Sequence, residues 1–423
     1  MLKILVDILS VPALLVGIVA FVGYLASEDK NFSDALGGGT KAAIGFFILV
    51  AGAITLIGPL DVLGPMIQDA FGVQGVVPSN EAIVAIALGQ LAQATALIMV
   101  LGFVFNIIFA RFTPFKYIWL TGHHSLFMAS LLAAALGAVG VSGVALWLLG
   151  GVLLGFLQVL MPAWTQHLAT KVGGSDEWTI GHFSSLSYVA SGFVARIAGG
   201  DPETTSAEDM EFPKSVGFLR ESLVSTGLIM FLIFLVPAIF LGGEARGALG
   251  GDTTWWIFLF TQSLTFSAGV AVVLYGVRTI LGEIVPAFTG FADKIVPDAK
   301  PALDIPVVFP FGANSVIIGF LASFVAGLIM LFIMGPIGLA AIVPGLVPHF
   351  FVGGGAGVIG NAFGGRRGAV IGGLVNGVII SLGAALLLPA LGNLGFENTT
   401  YGDADFQWVG ILINLFGRLF GGG

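Results

Sequence analysis

The sequence predicts an all-α polytopic membrane protein, and three observations predict it. Of 423 residues, 57% are hydrophobic and only 9% are charged; apolar runs recur at membrane-span length; and the basic residues fall almost wholly on one side of those runs. Soluble domains carry roughly 25% charged residues. Twenty-four acidic and 16 basic side chains could not solvate a 43.7 kDa globule with a mean hydropathy of +1.03, so the solvent missing from this balance is lipid.

Crossing a hydrocarbon core of about 30 Å takes roughly 20 apolar residues. Such runs occur at 11–26, 41–58, 82–110, 124–140, 142–161, 221–243, 254–280, 306–334, 335–350, 367–392 and 406–420, which predicts about eleven transmembrane helices. The first follows only Lys3 and lacks a small-residue cleavage site, so it reads as a retained span. Several others are short or interrupted by Gly and Pro, the pattern of broken and re-entrant helices.

An odd number of spans separates the termini, and the positive-inside rule selects the orientation. With the N-terminus outside and the C-terminus cytoplasmic, only Lys3 and Arg246 among the 16 basic residues lie outside. The expected location is the cell membrane. Two long cytoplasmic segments follow, 162–220 and 281–305. Within the first, Phe183, Leu186, Val189, Ala190, Phe193 and Val194 recur at helical spacing, predicting a helix over 183–199 on the membrane surface or packed under the spans. Arg278 and Glu283 are expected to pair near the cytoplasmic end of the seventh span.

An internal repeat organises the chain. Met161-Pro-Ala-Trp-Thr-Gln-His167 recurs as Val343-Pro-Gly-Leu-Val-Pro-His349, a shift of 182 residues that also carries the span at 41 onto one near 223 and the span at 124 onto one at 306. Five spans separate the copies, so they are predicted to be inverted. Inverted repeats are a signature of transporters whose substrate site lies near the midplane. The chain reads as one transporter domain, 1–423, with repeats of roughly 11–200 and 215–391 and a final span at 406–420.

Composition excludes much chemistry. There is no Cys, hence no disulfide, thiolate metal site or cysteine nucleophile. The five His residues form no metal motif, and a net charge of −8 without a basic block argues against nucleic acid. No catalytic residue, metal or cofactor is expected. The absence of a His-Glu-x-x-His helix or a Gly-x-Ser-x-Gly elbow disfavours an intramembrane enzyme, and no span carries a channel filter motif.

An ionisable group inside a membrane is a default site candidate because its burial is costly. Asp304 opens a span interrupted by Pro306, Pro310 and Gly312, with Asn314 following; Asp304 reads as a substrate ligand or a cap, Asn314 as a ligand or an interhelical hydrogen bond. Thr121-Gly-His-His124 sits where the fourth span begins, and the repeat shift puts His123 beside the position equivalent to Asp304. His182 precedes the 183–199 helix and reads as a ligand or a helix cap. Gln90, Gln93, Gln158 and Gln262 are uncharged polar groups suited to hydroxyl-rich substrates, or to bonding helix to helix. His167 and His349 read as structural.

Leu120-Thr-Gly-His123, Thr179-Ile-Gly-His182, Asp304 with Phe311 and Asn314, Val343-Pro-Gly-x-x-Pro-x-Phe-Phe351, Phe363-Gly-Gly-x-Arg367 and Gly276-Val-Arg278 with Glu283 together resemble the membrane (IIC) subunit of the ascorbate-type phosphotransferase system, within the ascorbate–galactitol superfamily. The resemblance runs in order from about residue 12 to 390. It implies a homodimeric, elevator-type permease with a mobile core and a dimerisation subdomain. It also implies import of L-ascorbate coupled to phosphorylation by a separate IIB subunit, which carries phosphate on Cys and receives it from a IIA His. No phosphoryl-carrying residue is expected on this chain. Carried over, His123, His182, Asp304 and Asn314 would be substrate-site residues. The chain departs from the family pattern after Ile-Gly-His, where Phe183-Ser-Ser185 replaces a Gln-rich stretch, and has His124-Ser125 after Thr-Gly-His. That leaves open which sugar acid or polyol is carried. The rival reading is a stand-alone proton-coupled transporter of a small polar substrate with the same fold.

Overall fold

In the computed structural model the described residues are 4, 8, 11–72, 75–210, 222–392 and 400–419. They are mostly helical. In chain order the helices are α1 (Pro12–Ala26), α2 (Phe32–Phe71), α3 (Asn80–Phe112), α4 (Gly122–Ala138), α5 (Gly143–Gly173), α6 (Ser185–Ala198), α7 (Ser222–Phe240), the short α8 (Gly243–Ala248), α9 (Trp255–Lys294), α10 (Ala313–Met334), α11 (Leu346–Gly392) and α12 (Ala404–Leu419). Strands β1 (Tyr117–Trp119), β2 (Thr179–Ile180) and β3 (Lys300–Leu303) lie between them, and a 3₁₀ turn covers Ile305–Phe311.

Six described stretches are long and apolar enough to cross a membrane, within α2, α3, α5, α9, α10 and α11, and two shorter apolar helices lie at Ala13–Ala26 and Thr226–Phe240. Large apolar side chains such as Leu232, Phe332 and Phe156 are exposed along these helices, as a lipid-facing surface requires. Between helices the contacts are made by small residues. Gly45 and Gly52 of α2 meet the backbone of α9, where Gly269 and Gly276 meet α2 in turn. Without a hydrophobic drive between helices in lipid, such close backbone approach supplies the packing.

The same rule accounts for the face that the helix expected at 183–199 buries. α6 covers most of that stretch, but its buried residues are Ser185, Ser187, Tyr188, Ser191, Gly192 and Ala195, while Leu186, Phe193 and Ile197 are exposed. The small polar side bonds to α11, Ser187 Oγ to Asn376 Oδ1 and Ser191 Oγ to the Gly372 carbonyl. In a membrane setting the apolar stripe faces outward and the hydroxyls face protein.

Three expectations are corrected. The run 335–350 is not one span: a 3₁₀ turn at Gly335–Ile337 ends at Gly338 (φ +80°), the chain leaves the helix, and α11 starts at Leu346 and runs to a break at Gly364 and Gly365 (φ 59°). Pro336, Pro344 and the two glycines explain why hydropathy alone misplaces the boundary. The segments 162–220 and 281–305 are partly helical, since α5 continues through Pro162 to Gly173 and α9 through Pro286 to Lys294. Lys3, Lys214 and Arg220 of the charge count lie outside the described residues. Finally, Glu283 meets Lys41 Nζ at 3.5 Å and the Tyr24 hydroxyl at 3.2 Å, whereas Arg278 is exposed. A spacing of five residues puts the two on different sides of a 3.6-residue helix.

The small sheet fixes the interior. It is parallel, in the order β1-β3-β2, with Tyr117 opposite Lys300 and Ile180 opposite Leu303. Every strand points the same way, so the three chain segments that follow them emerge at one edge.

Candidate functional site

The residues that follow the three strands are His123, His182 and Asp304. Asp304 comes directly after the central strand β3, His182 two residues after β2, and His123 four residues after β1. The order β1-β3-β2 therefore seats one carboxylate between two imidazoles. His182 Nδ1 lies 2.8 Å from Asp304 Oδ1, and His123 Nε2 lies 3.4 Å from Asp304 Oδ2. The Ile305 N–H also donates to Asp304 Oδ1, at 2.7 Å, so the carboxylate both caps the 3₁₀ turn and holds the histidines.

Local geometry makes this convergence tight. The sheet continues past its strands through Leu120 N–H to the Ala302 carbonyl (3.0 Å) and Gly181 N–H to the Leu303 carbonyl (2.6 Å). A Cβ at residue 181 would stand 2.6 Å from the Ala302 carbonyl oxygen, which is why glycine precedes His182. Thr121 Oγ1 donates to the Gly181 carbonyl at 2.5 Å and ties the ends of β1 and β2 together. Trp119 stacks on Phe183 with centroids 4.4 Å apart, packing the end of β1 against the residue after His182.

A second acidic strand of chain reaches the site from the C-terminal end. Asp403 is buried; its Oδ2 accepts from Asn80 Nδ2 at 2.7 Å, and its Oδ1 lies 4.0 Å from His182 Nε2. Asp405 accepts from the N–H groups of Ser185 (2.7 Å) and Leu186 (3.1 Å) and from Trp408 Nε1 (2.9 Å). It thus caps the N-terminus of α6, where a negative charge opposes the helix dipole. Ala404 N–H donates to Ser184 Oγ. These bonds lash the 400–405 segment to the residues around His182.

The cluster forms one wall of a cavity of about 880 Å³. α2 contributes Asp61 and Gln68 to the lining, and the loop before α11 with its first turn contributes Val343 to Pro348, with Ser79, Asn80, His123, His124, His182, Asp304 and Asp403 as further polar lining. Ligand pockets of this kind combine apolar walls with a few convergent polar groups. No Lys or Arg lines it among the described residues.

Two sets of side chains bring potential metal-ligand atoms within 4.8 Å of one another: His123, His124 and Asp304, and His124, His182 and Asp403. His124 is common to both. Its Nδ1 accepts from the Phe183 N–H at 3.4 Å, which places the proton of the neutral ring on Nε2 and leaves no free lone pair there. The arrangement is better suited to hydrogen bonding an organic ligand. His182 donates Nδ1–H to an ionised Asp304, and its Nε2 is buried without a hydrogen-bond partner among the described residues. The Tyr188 hydroxyl, on a ring 5.8 Å from that of His182, is likewise buried without one.

The other residues singled out from sequence stand elsewhere. Asn314 donates its side-chain amide to the Ala207 carbonyl at 3.3 Å, while Glu208 accepts from the Asn314 and Ser315 N–H groups, so Asn314 joins the α10 start to the 207–208 loop. Gln90 and Gln93 are exposed on α3 beside its non-helical Leu91, and Gln262 is half-buried on α9; none of the four lines the cavity. Gln158 bonds Ser125 Oγ at 2.9 Å, joining α5 to α4. His349 is buried and bonded to Ser323, a structural placement. Asn80, Asp61 and Asp403 were not reached from sequence. For Asp403 a signal was present: two carboxylates, Asp403 and Asp405, stand at the head of an apolar helix.

Comparison with known proteins adds two findings. Residues 7–405 match the family EIIC-GAT, described as the PTS system sugar-specific permease component. The chain is also similar to the ascorbate-specific PTS system EIIC component of Mycoplasma pneumoniae, at 25% identity over 414 residues covering 85% of this chain. It spans 62% of that relative's length.

Proposed function

Since the chain belongs to the EIIC-GAT family of PTS sugar-specific permease components, a group of multi-pass membrane proteins, we propose that it imports L-ascorbate or a related sugar acid or polyol, with phosphorylation by a separate IIB subunit. The observation that carries this reading is the convergence of His123, His182 and Asp304 at the ends of three parallel strands on the wall of one cavity. Such a set of donors and acceptors suits a polyhydroxyl ligand. His123, His182 and Asp304 are the proposed substrate contacts.

The mechanism follows from the chemistry of trapping. Alternating access at the cavity would deliver substrate to the cytoplasmic side, where IIB phosphorylates a hydroxyl; the charged product cannot return through an apolar path, so no ion gradient is required. This chain binds and orients, and the phosphoryl chemistry belongs to IIB, supplied by IIA. An elevator-like movement of a core against a dimerising scaffold in a homodimer is part of the proposal, as is an N-terminus outside. The inverted-repeat reading draws support from the pairing of β1 with β3, since Tyr117 and Lys300 stand opposite each other at a sequence offset close to the repeat shift.

The test is uptake of labelled ascorbate and polyols into proteoliposomes holding this protein, with and without phosphorylated IIB on the inner face. Accumulation of a phosphorylated product only with IIB is the expected result. Accumulation without IIB under a proton gradient would instead establish the stand-alone transporter, with the His182–Asp304 pair as the proton site.

A further inference from the structure

His182 is held from two directions. On its N-terminal side the sheet fixes the backbone: the Gly181 N–H donates to the Leu303 carbonyl at 2.6 Å, and the Gly181 carbonyl accepts from Thr121 Oγ1. On its C-terminal side the strand has ended. The chain turns at once toward α6, with the Ser184 N–H donating to the His182 carbonyl at 2.8 Å, and the residues that follow are gripped by the start of α12.

This grip is built around Asp405, which is fully buried. Its carboxylate accepts from the Ser185 N–H at 2.7 Å and the Leu186 N–H at 3.1 Å, while its own N–H donates to the Phe183 carbonyl at 3.0 Å. The first N–H groups of a helix need acceptors from outside it. Ser184, at the N-cap of α6, does not supply one from its side chain, because its Oγ accepts the Ala404 N–H at 3.2 Å. Capping from α12 in place of local capping makes the geometry just after His182 depend on where α12 sits. Asp405 also stands in the first turn of α12, so two helix N-termini converge on one carboxylate and both dipoles favour its charge. The next residue, Phe406, stacks on His124 with centroids 5.5 Å apart, and the His124 ring lies 4.0 Å from that of His182. Residues 404–406 thus set both the backbone that follows His182 and the ring beside it.

We propose that Asp405 is a positioning residue for substrate binding: by holding residues 183–186 it keeps the His182 imidazole aimed at Asp304 and the cavity, which makes the start of α12 part of the substrate site. The inference rests on the reading of the cavity as a polyhydroxyl site. The bond at stake is the 2.8 Å contact of His182 Nδ1 with Asp304, and a hydrogen bond weakens steeply as its geometry departs from linear.

Two readouts test it. Binding of galactitol and L-ascorbate to the purified protein in detergent is measured by calorimetry. The imidazole signals of protein labelled with nitrogen-15 histidine are recorded in liposomes by NMR; the chain has five His residues, and the His182 signal is assigned by its loss in His182→Gln. Asp405→Ala is expected to weaken binding of the better probe about ten- to 100-fold, the range carried by groups that orient a ligating imidazole. It should also move the His182 signal and leave in place that of His349, which bonds Ser323 instead. Asp405→Asn, which keeps an acceptor, should lose less. Adding Asp405→Ala to His182→Gln should cost little further, because a residue that acts through another is not additive with it. An unmoved His182 signal in Asp405→Ala, or binding that stays at the wild-type level, overturns the inference. A double variant whose loss is the product of the single losses assigns Asp405 to stability alone and also overturns it. If folded wild type binds neither probe, the polyhydroxyl reading fails, and the His182 signal alone decides whether Asp405 positions that ring. If Asp405→Ala does not fold, Asp405→Asn and Ser184→Ala replace it: a smaller shift of the same signal is expected from each, and no shift in either overturns the inference.

Discussion

Replacing Asp304 by Asn should uncouple His123 and His182 from the centre of the site while leaving the fold in place. At 2.8 Å and an effective dielectric constant of about 20, a full ion pair between His182 and Asp304 would be worth about 6 kcal/mol in gross terms. Asparagine keeps an acceptor for the His182 Nδ1–H and for the Ile305 N–H, so most of that gross figure is retained or returned as desolvation. What is lost is the charge-assisted part of the bonds, about 1.5–3 kcal/mol. At 1.36 kcal/mol per decade this is a fall of roughly 10- to 150-fold in substrate affinity or uptake. The assay is proteoliposome uptake of the best-bound polyhydroxyl substrate, with reconstituted protein quantified for each variant. His182→Gln should lose a similar factor, and the double variant little more than either alone, because partners in one bond are not additive. Uptake by Asp304→Asn within two-fold of wild type would refute the argument, and so would a double variant whose loss is the product of the two single losses.

Two further outcomes follow from the geometry around the sheet. Gly181→Ala puts a methyl 2.6 Å from the Ala302 carbonyl oxygen, so β2 must part from β3; thermal stability in detergent should fall and substrate binding with it, and a variant that binds like wild type would show that the sheet does not set the position of His182. At the exposed side of the same sheet, Lys300 donates to Asp176 at 2.6 Å and holds its carboxyl below the usual carboxylate range. A depressed folded-state pKa contributes stability above the unfolded value and loses it as pH falls through the folded one. Because Asp176 is largely exposed, Lys300→Gln should cost less than about 1 kcal/mol near neutral pH, with the difference from wild type vanishing in acid; thermal melts at pH 7 and below 4 measure it.

The sequence already marked His123, His182 and Asp304, because ionisable groups at the ends of apolar runs are costly and therefore conspicuous. The structure brings these three together by a route hydropathy does not reveal. Strands of three, two and four residues are too short to leave a periodic signal, yet their parallel pairing determines which side chains converge. Asn314, Gln90, Gln93 and Gln262 were drawn by polarity alone, and polarity in a membrane helix serves loop anchoring and lateral contact as readily as binding. Asp403 and Asn80 come from segments 323 residues apart, so only the fold could pair them. The run at 335–350 was misplaced because Gly and Pro there end one helix and delay the next without lowering hydropathy.

A structure of the protein with a bound polyol would test the central claim most directly. Ligand density between His182, His123 and Asp304, with a hydroxyl within hydrogen-bonding distance of His182 Nε2, is the result expected. Ligand resting on α3 beside Gln90 and Gln93, with the three strand-end residues bonded only to one another, would contradict it.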